Sequence, residues 1–338
     1  MSDTPPDIPA DPPHTPQPDD AGHIPVLPGP VIEQLAPKPG GVFVDCTAGR
    51  GGHASLVIPK LGPGGTYIAF DLDAGNLAYM RQRCEPIADQ HDVALHTVQQ
   101  NFAGVRSAMD TLGVERADAL LADLGFASNQ VDDAERGLSF KHDGPLDMRL
   151  DPTGPVTAAD LVNTLPEREL ADLIYRLGDE RFSRRIARKI VAQRDVEPIT
   201  RTFGLAKICR SAYGHQPRGS RIDPATRTFQ ALRIAVNGEL DALDRLLEQL
   251  PDVMAAGGRV GMISFHSLED RPVKRAFLKA QQDGWAKRLT RKPITADEAE
   301  QQHNPRSRSA KFRVIERLGL DHPPPPGGDR QGVRPFQT

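Results

Sequence analysis

Short apolar runs recur along the chain, and longer helical patterns separate the earlier ones. The runs lie at residues 42–44, 67–70, 93–98, 119–121, 260–265 and 312–315. Their length and composition are those of buried strands. Strands that alternate with helices are typical of a parallel, doubly wound α/β sheet, in which ligands bind beyond the carboxyl ends of the strands. The pattern therefore predicts an α/β fold with its functional residues directly after the strands.

The alternation stops between about residues 131 and 225. Within this gap Phe182, Ile186 and Ile190 recur at helical spacing, and arginines and a lysine occupy the positions between them. This pattern predicts a basic amphipathic helix. We interpret residues 131–225 as an inserted helical domain that divides a sheet domain into residues 23–130 and 226–320. One further helix is predicted over residues 227–250, with a single apolar face formed by Phe229, Leu232, Val236, Leu240, Leu243 and Leu247.

Both ends of the chain differ in composition from the rest. Residues 1–22 are rich in proline and aspartate, and residues 321–338 contain a run of four prolines followed by two glycines. Such segments cannot bury enough apolar surface to order themselves, so we expect two disordered tails. No segment approaches the roughly 18 apolar residues that a membrane span requires, and the N-terminus lacks the pattern of a secretory signal. A cytoplasmic protein without membrane contact is expected.

The net charge of −3 conceals two basic stretches. Residues 181–233 hold thirteen lysines and arginines against three acids, and residues 271–317 hold thirteen against five. Basic stretches on an otherwise acidic protein favour a polyanionic partner, although solvated helix faces would give the same count. Cys46, Cys84 and Cys209 are odd in number and far apart, which fits neither a disulfide framework nor a zinc site. No metal site is predicted.

The first apolar run leads into a glycine-rich turn, residues 45–53 (DCTAGRGGH). Glycines at this density after a strand let the backbone approach a ligand closely, although a tight turn alone also requires them. Asp71 ends the second run, 22 residues after Gly49, near the offset expected of a ribose-binding acid. A dinucleotide fold would separate its second and third glycines by two residues. Here Gly51 and Gly52 are adjacent, and this spacing resembles that of S-adenosylmethionine methyltransferases.

Seven motifs in order resemble the bacterial MraW (RsmH) methyltransferase family. They are residues 45–53 (DCTAGRGGH), 123–125 (DLG), 132–140 (DDAERGLSF), 143–149 (DGPLDMR), 224–233 (PATRTFQALR), 264–271 (SFHSLEDR) and 304–311 (NPRSRSAK). The resemblance implies a Rossmann-like class I S-adenosylmethionine methyltransferase sheet. It also implies N4-methylation of one cytidine in the decoding centre of 16S ribosomal RNA, with small-subunit RNA, in an assembled or assembling 30S subunit, as the partner.

The same resemblance implies the cofactor-binding residues. It gives a cofactor loop, a ribose contact, an adenine neighbour and two further pocket residues: Gly51, Gly52 and His53; Asp71; Phe102; and Asp123 with Gln130. The chain departs from the family pattern around Gln130, at Phe126, Ala127, Asn129 and Val131, and it has Asp223 where the family commonly has histidine.

Cytosine N4 is a poor nucleophile because its lone pair is delocalised into the ring. An acceptor for an N4–H would localise that lone pair and stabilise the positive charge that develops on the nitrogen. Asp123 is our candidate for this catalytic acceptor, and a purely cofactor-binding role stays open for it. Backbone carbonyls of the Asp123-Leu-Gly turn could share the role, and Asp147, Arg149 and His266 are further candidates for the cytosine pocket.

Phosphate contacts are assigned to the two basic stretches. The candidates are Arg184, Arg185, Arg188, Arg221, Arg227, Arg306, Arg308 and Lys311. Three other functions remain as alternatives: a methyltransferase acting on DNA or protein, a dinucleotide oxidoreductase, and a non-catalytic RNA-binding assembly factor. The oligomeric state is left open, with a homodimer among the alternatives.

Overall fold

The computed structural model describes residues 24–125, 128–213 and 223–319. The two tails predicted to be disordered lie outside these residues, and so does Arg221. No helix in the described part of the chain is long and apolar enough to cross a membrane.

A seven-stranded sheet forms the centre of the molecule. Its order is β3-β2-β1-β4-β5-β7-β6, and β7 runs antiparallel to both β5 and β6 while the first five strands are parallel. The strands are β1 (Val42–Asp45), β2 (Gly65–Asp71), β3 (Val93–Gln99), β4 (Ala117–Asp123), β5 (Met254–Ser264), β6 (Ala286–Arg288) and β7 (Lys311–Arg317). All six apolar runs are strands, so the predicted doubly wound α/β fold is confirmed; β6 was not predicted.

Helices cover both faces of the sheet, and several of them lie within residues 131–225, the predicted insertion. They are α1 (Pro28–Leu35), α2 (Ala54–Leu61), α3 (Ala74–Gln90), α4 (Val105–Thr111), α5 (Ser128–Asp132), α6 (Ala158–Thr164), α7 (Glu167–Gly178), α8 (Ser183–Arg194), α9 (Thr202–Ala212), α10 (Thr226–Asn237), α11 (Glu239–Val253), α12 (Ser267–Gln282) and α13 (Glu298–His303).

Two apolar clusters lie on opposite faces of the sheet because successive strand residues point to opposite sides. Phe43 and Tyr67 stack with ring centroids 5.4 Å apart and pack with α1, α2 and α3. Val44, Ile68 and their neighbours face α4, α11 and α12. Burial on both faces explains why the central strands read as continuous apolar runs.

A third apolar cluster is formed by residues of the predicted insertion and of α10. Ile186, Ala187 and Ile190 of α8 are buried in it while Arg184 and Arg185 are exposed, so the predicted basic amphipathic helix is confirmed. The cluster also includes residues of α10, which packs against α7. The helical core of the insertion thus continues into α10.

The single helix predicted over residues 227–250 is wrong. Gly238, with φ of 58°, ends α10 in the left-handed region and begins α11. Phe229 and Leu232 belong to the cluster of the insertion, whereas Leu243 belongs to a face of the sheet. The apolar stripe is therefore two stripes that serve two cores, separated by a glycine whose conformation other residues rarely adopt.

Candidate active site

A cleft of about 580 Å³ lies at the carboxyl edge of the sheet. Its lining includes residues that directly follow four parallel strands, namely 46–49 after β1, Asp71 and Leu72 at the end of β2, 100–102 after β3, and 123–125 at the end of β4. A second wall comes from the predicted insertion and from α10, through residues 138–141, Leu150, Thr226 and Phe229. A cleft of this size and position suits a small ligand at the strand ends.

Two adjacent glycines of the glycine-rich turn, Gly51 and Gly52, have different surroundings. Gly52 and His53 line the cleft at the start of α2. Gly51 lies behind them with φ of 78°, and a Cβ atom there would come within 2.8 Å of Cys84 Sγ on α3. Gly51 thus lets the turn pack against α3 and is not part of the cleft lining.

Asp71 joins the ends of β1 and β2. Its Oδ2 accepts a hydrogen bond from the Gly49 amide at 2.9 Å, and its Oδ1 accepts one from the Asp73 amide at 2.8 Å. Burial raises the pKa of Asp71 to about 7, although these hydrogen bonds favour the ionised form. A ligand hydroxyl that donates to this carboxylate would favour ionisation further.

Asp123 faces His53 in the lining of the cleft. The Asp123 amide donates to Thr47 Oγ1 at 2.7 Å, and His53 Nε2 lies 3.6 Å from Asp123 Oδ2. Asp123 Oδ1 and His53 Nε2 are buried and make no hydrogen bond to any residue that the structure describes. Buried polar atoms without a partner are costly, so a bound ligand or water is the natural completion of this site.

Gln130 and Phe102 complete the set of expected cofactor neighbours. Gln130 is buried, and its Nε2 donates to Asp73 Oδ2 at 3.1 Å. Phe102 lies in a 3-10 helix after β3 and is partly buried in the cleft lining. Of the seven expected cofactor residues, the structure therefore brings six to the cleft: Gly52, His53, Asp71, Phe102, Asp123 and Gln130.

The other candidates for the cytosine pocket are in two places. Asp147 and Arg149 form a two-point ion pair, with hydrogen bonds of 2.8 and 2.6 Å, and neither residue lines the cleft. His266 lines the cleft, and its Nε2 is 3.0 Å from Glu269 Oε1. Burial alone would raise the pKa of Glu269, but the interactions with His266, Arg233 and the Phe265 amide together outweigh it and lower that pKa.

The predicted phosphate contacts are spread over the surface. Arg184, Arg185 and Arg188 are exposed on α8, and Arg227 donates to the carbonyl of Asp179 at 2.9 Å. Arg308 is exposed, and Lys311 lies 3.8 Å from the Asp270 carboxylate. Only Arg306 of the described candidates lines the cleft, where it donates to Asp132 at 3.2 Å.

Sequence reasoning missed several residues of the insertion wall. Phe140 and Lys141 line the cleft, and the Phe140 ring meets Phe229 edge to face with centroids 4.8 Å apart. Arg233 also lines it and donates twice to Glu239, at 2.8 Å each. Motifs 132–140 and 224–233 contain three of these residues, but no local pattern places a motif of an insertion opposite strand ends.

Comparison with known proteins decides the family. A model of the MraW methylase family matches residues 20–318. The chain belongs to the MraW methylase family. A family relative from Geobacter sp. (strain M21), named ribosomal RNA small subunit methyltransferase H, is 45% identical over 316 residues, which are 89% of this chain and 100% of the relative. A relative of the same name from Synechococcus elongatus is 47% identical over 302 residues, 89% of this chain and 97% of the relative.

Membership of the MraW methylase family makes the chain a methyltransferase with S-adenosylmethionine as its cofactor, and the expected class I methyltransferase fold is confirmed. The cleft fits this cofactor. It offers a side-chain-free approach at Gly52, a carboxylate at the end of β2, and the unpartnered buried atoms of His53 and Asp123. These residues would hold the cofactor.

Proposed function

We propose that the chain methylates the exocyclic N4 of one cytidine in the decoding centre of 16S ribosomal RNA. The name of the relatives supports a small-subunit RNA substrate, and the seven motifs support the cytidine and its N4 atom. The observation that carries the proposal is a cleft with two unlike walls, one of strand ends and one that bears Phe140 and Lys141, with Arg306 also in the lining. A base that leaves its stack requires such a second wall beside the cofactor.

The cofactor is assigned to the wall of strand ends. Asp71 accepts hydrogen bonds from ribose hydroxyls, and Phe102 packs beside the adenine. Gly52 allows the cofactor to approach the backbone closely, and His53 and Gln130 are further neighbours of the cofactor. Gln130 is kept in place by its hydrogen bond to Asp73.

We assign to Asp123 the role of hydrogen-bond acceptor for the N4–H of the cytosine. When bound, S-adenosylmethionine supplies an activated methyl group, which requires in-line attack at roughly 3 Å. Asp123 is fixed by the bond from its amide to Thr47 Oγ1, and its side chain is 22% exposed. Its carboxylate accepts a hydrogen bond from the amine and thereby localises the lone pair and stabilises the charge that develops.

The RNA backbone is assigned to the arginines of α8, to Arg227 and to the C-terminal set, Arg306, Arg308 and Lys311. Together these residues would hold the RNA on both sides of the cleft while one base is extruded. We place this substrate within an assembled or assembling 30S subunit in the cytoplasm.

Mapping of 16S RNA by mass spectrometry tests the proposal. Cells that lack the chain should lose one methyl group from one cytidine base, and purified enzyme with S-adenosylmethionine should restore it on 30S subunits from those cells. An unchanged 16S RNA would contradict the proposed substrate. Binding of the subunits without transfer of a labelled methyl group would instead favour a non-catalytic assembly factor.

A further inference from the structure

Arg136 connects the two walls of the cleft. It ends a 3-10 helix, residues 134–136, at the start of the insertion. Its guanidinium forms an ion pair with Asp73 on the cofactor side, and its Nη1 lies 3.4 Å from the carbonyls of both Arg149 and Leu150 on the insertion side. The Arg136 side chain is 19% exposed and that of Asp73 is 11% exposed, so this pair is largely shielded from water.

The cofactor end of this connection leads to residues of the cleft. Asp73 caps α3 through Oδ1, which accepts from the Gly75 and Asn76 amides, and its Oδ2 accepts from Gln130. The Asp73 amide donates to Asp71, the carboxylate at the end of β2. The position of Asp73 therefore affects both Asp71 and Gln130.

The insertion end leads to the opposite wall. The carbonyl of Arg136 accepts from the Met148 amide at 3.0 Å, and Leu150, whose carbonyl receives the guanidinium, lines the cleft. Gly137 follows with φ of 64°, and a Cβ atom there would clash with the carbonyl of Pro145. This tight packing leads directly into residues 138–141 of the wall.

We propose that Arg136 is a positioning residue that couples the cofactor site to the substrate wall. A bound cofactor that fixes the side chains of Asp71 and Gln130 also fixes Asp73, which contacts both. Arg136 then restricts the loop of Leu150 and residues 138–141, because it pairs with Asp73 and contacts that loop. Binding of cofactor and binding of RNA then strengthen each other, because energetic coupling between two sites is reciprocal. The RNA half of this inference rests on the proposed function, whereas the cofactor half does not.

Two substitutions separate the two ends of the connection. Arg136→Gln removes the charge that faces Asp73, and S-adenosylhomocysteine should bind about tenfold more weakly by titration calorimetry. Arg136→Lys keeps a charge for Asp73, but a single ammonium cannot also replace the fork that reaches the two carbonyls. The lysine variant should therefore recover most of the cofactor affinity and the KM for S-adenosylmethionine, while kcat stays low.

A matched control comes from another arginine with the same kind of contacts. Arg259 pairs with Glu316 at 3.0 Å and donates to the carbonyl of Gln34 at 2.8 Å, away from the cleft. Arg259→Gln should lower the thermal unfolding temperature by an amount similar to Arg136→Gln and leave cofactor affinity unchanged. An equal loss of cofactor affinity in both variants would reduce the role of Arg136 to general stability and overturn the proposal.

A double-mutant cycle and an RNA titration complete the test. Asp73→Asn keeps an acceptor oxygen for the cap of α3 but removes the charge, so its effect on cofactor affinity should not add to that of Arg136→Gln. In the unchanged enzyme, saturating S-adenosylhomocysteine should tighten 30S binding, and this gain should vanish in Arg136→Gln. Additive effects in the cycle, or cofactor affinity unchanged in Arg136→Gln, would refute the coupling whatever the RNA substrate is. An unchanged enzyme that binds cofactor but not 30S subunits would count against the proposed function.

Discussion

At the scale of single residues, the chemistry of the cleft depends on two carboxylates in unlike surroundings. Asp71 accepts two backbone hydrogen bonds, yet burial raises its pKa to about 7. Asp123 has its amide anchored on Thr47 and one carboxylate oxygen without a partner among the described residues. The first is suited to recognise a ligand through hydrogen bonds that favour its ionised form, and the second to accept a proton-bearing group.

Replacement of Asp123 separates catalysis from cofactor binding. Asp123→Asn keeps the size of the side chain but weakens its ability to accept an N4–H, so methyl transfer should fall by about 100-fold or more. Affinity for S-adenosylhomocysteine should stay within about threefold, because asparagine keeps an acceptor oxygen that faces the cofactor. Single-turnover methylation and calorimetry measure the two effects. Asp110→Asn, at an exposed carboxylate of α4, is the control, and full activity in Asp123→Asn would rule out the acceptor role.

The raised pKa of Asp71 predicts how cofactor binding depends on pH. The carboxyl is largely protonated below its folded pKa of about 7, and ribose hydroxyls bind the ionised form better, so affinity should rise as the pH increases through 7. Between pH 8 and pH 6 we expect S-adenosylhomocysteine to lose roughly tenfold in affinity. Calorimetry in buffers of different ionisation enthalpy should also show proton release at pH 6.

Asp71→Asn is the control for that dependence, because it removes the titrating carboxyl group and keeps the size of the side chain. The variant should bind more weakly at pH 8 and lose most of the pH dependence. The same pKa has a consequence for folding. The folded state holds its proton at higher pH than the unfolded state does, so Asp71 makes stability fall as the pH rises from about 4 to about 7. For cofactor binding, an affinity for S-adenosylhomocysteine that does not change between pH 6 and pH 8 would contradict the role given to Asp71.

At the scale of elements, the sequence pattern predicted the strands and helices whose conformation follows from their own apolar and polar residues. The central strands were recognisable because both faces are buried, and α8 because its apolar stripe and its arginines alternate at helical spacing. The strand β6 has the sequence Ala-Lys-Arg and owes its conformation to pairing with β7, which no local pattern shows. The break at Gly238 was not predicted because the apolar residues of the two helices continue one helical spacing across the glycine, although they pack against different partners.

The same distinction applies to the site. Asp71 and Asp123 could be found because each lies within two residues of the end of an apolar run, and parallel strands bring their carboxyl ends to one edge. Phe140, Lys141 and Arg136 could not, since their place opposite that edge depends on how the whole insertion packs. Gly51 is the opposite case, a residue that the sequence assigned to the site but that the structure places outside the cleft lining. It belongs to the expected cofactor loop, but its positive φ and its close approach to Cys84 allow the loop to pack against α3.

The basic face of α8 predicts a salt dependence of RNA binding. Simultaneous Arg184→Gln, Arg185→Gln and Arg188→Gln should lower the slope of log Kd against log salt by about 2, because each phosphate contact to single-stranded RNA contributes about 0.7. Cofactor affinity should not change. The control removes three exposed charges from α2 and α3, at Lys60, Arg81 and Arg83, and should leave the slope nearly intact. Equal slopes for both triple variants would exclude α8 from the RNA interface.

At the scale of the whole molecule, the cleft draws on most of the chain. Its walls include residues near the start of the described chain, such as Ile24, residues of the insertion, and Arg306 and Ser309 just before β7. The segment that holds Ile24 is tied to α13 and its end, since the Leu27 amide donates to Glu300 and Asn304 donates to the carbonyl of Ile24. A ligand in this cleft contacts elements that only the complete fold brings together.

This dispersal predicts that cofactor binding stabilises the whole fold. A ligand that binds only the native state adds about 2.7 kcal/mol to the free energy of unfolding at 100 times its Kd, which for a protein of this size raises the unfolding temperature by several degrees. S-adenosylhomocysteine should produce this shift in a thermal scan, in proportion to the logarithm of its concentration. Nicotinamide dinucleotide should produce none, because adjacent glycines at 51 and 52 do not form the turn that holds a pyrophosphate. A shift with the dinucleotide and none with S-adenosylhomocysteine would reverse the assignment of the cleft, since the strand-end residues that line it are the same for either ligand.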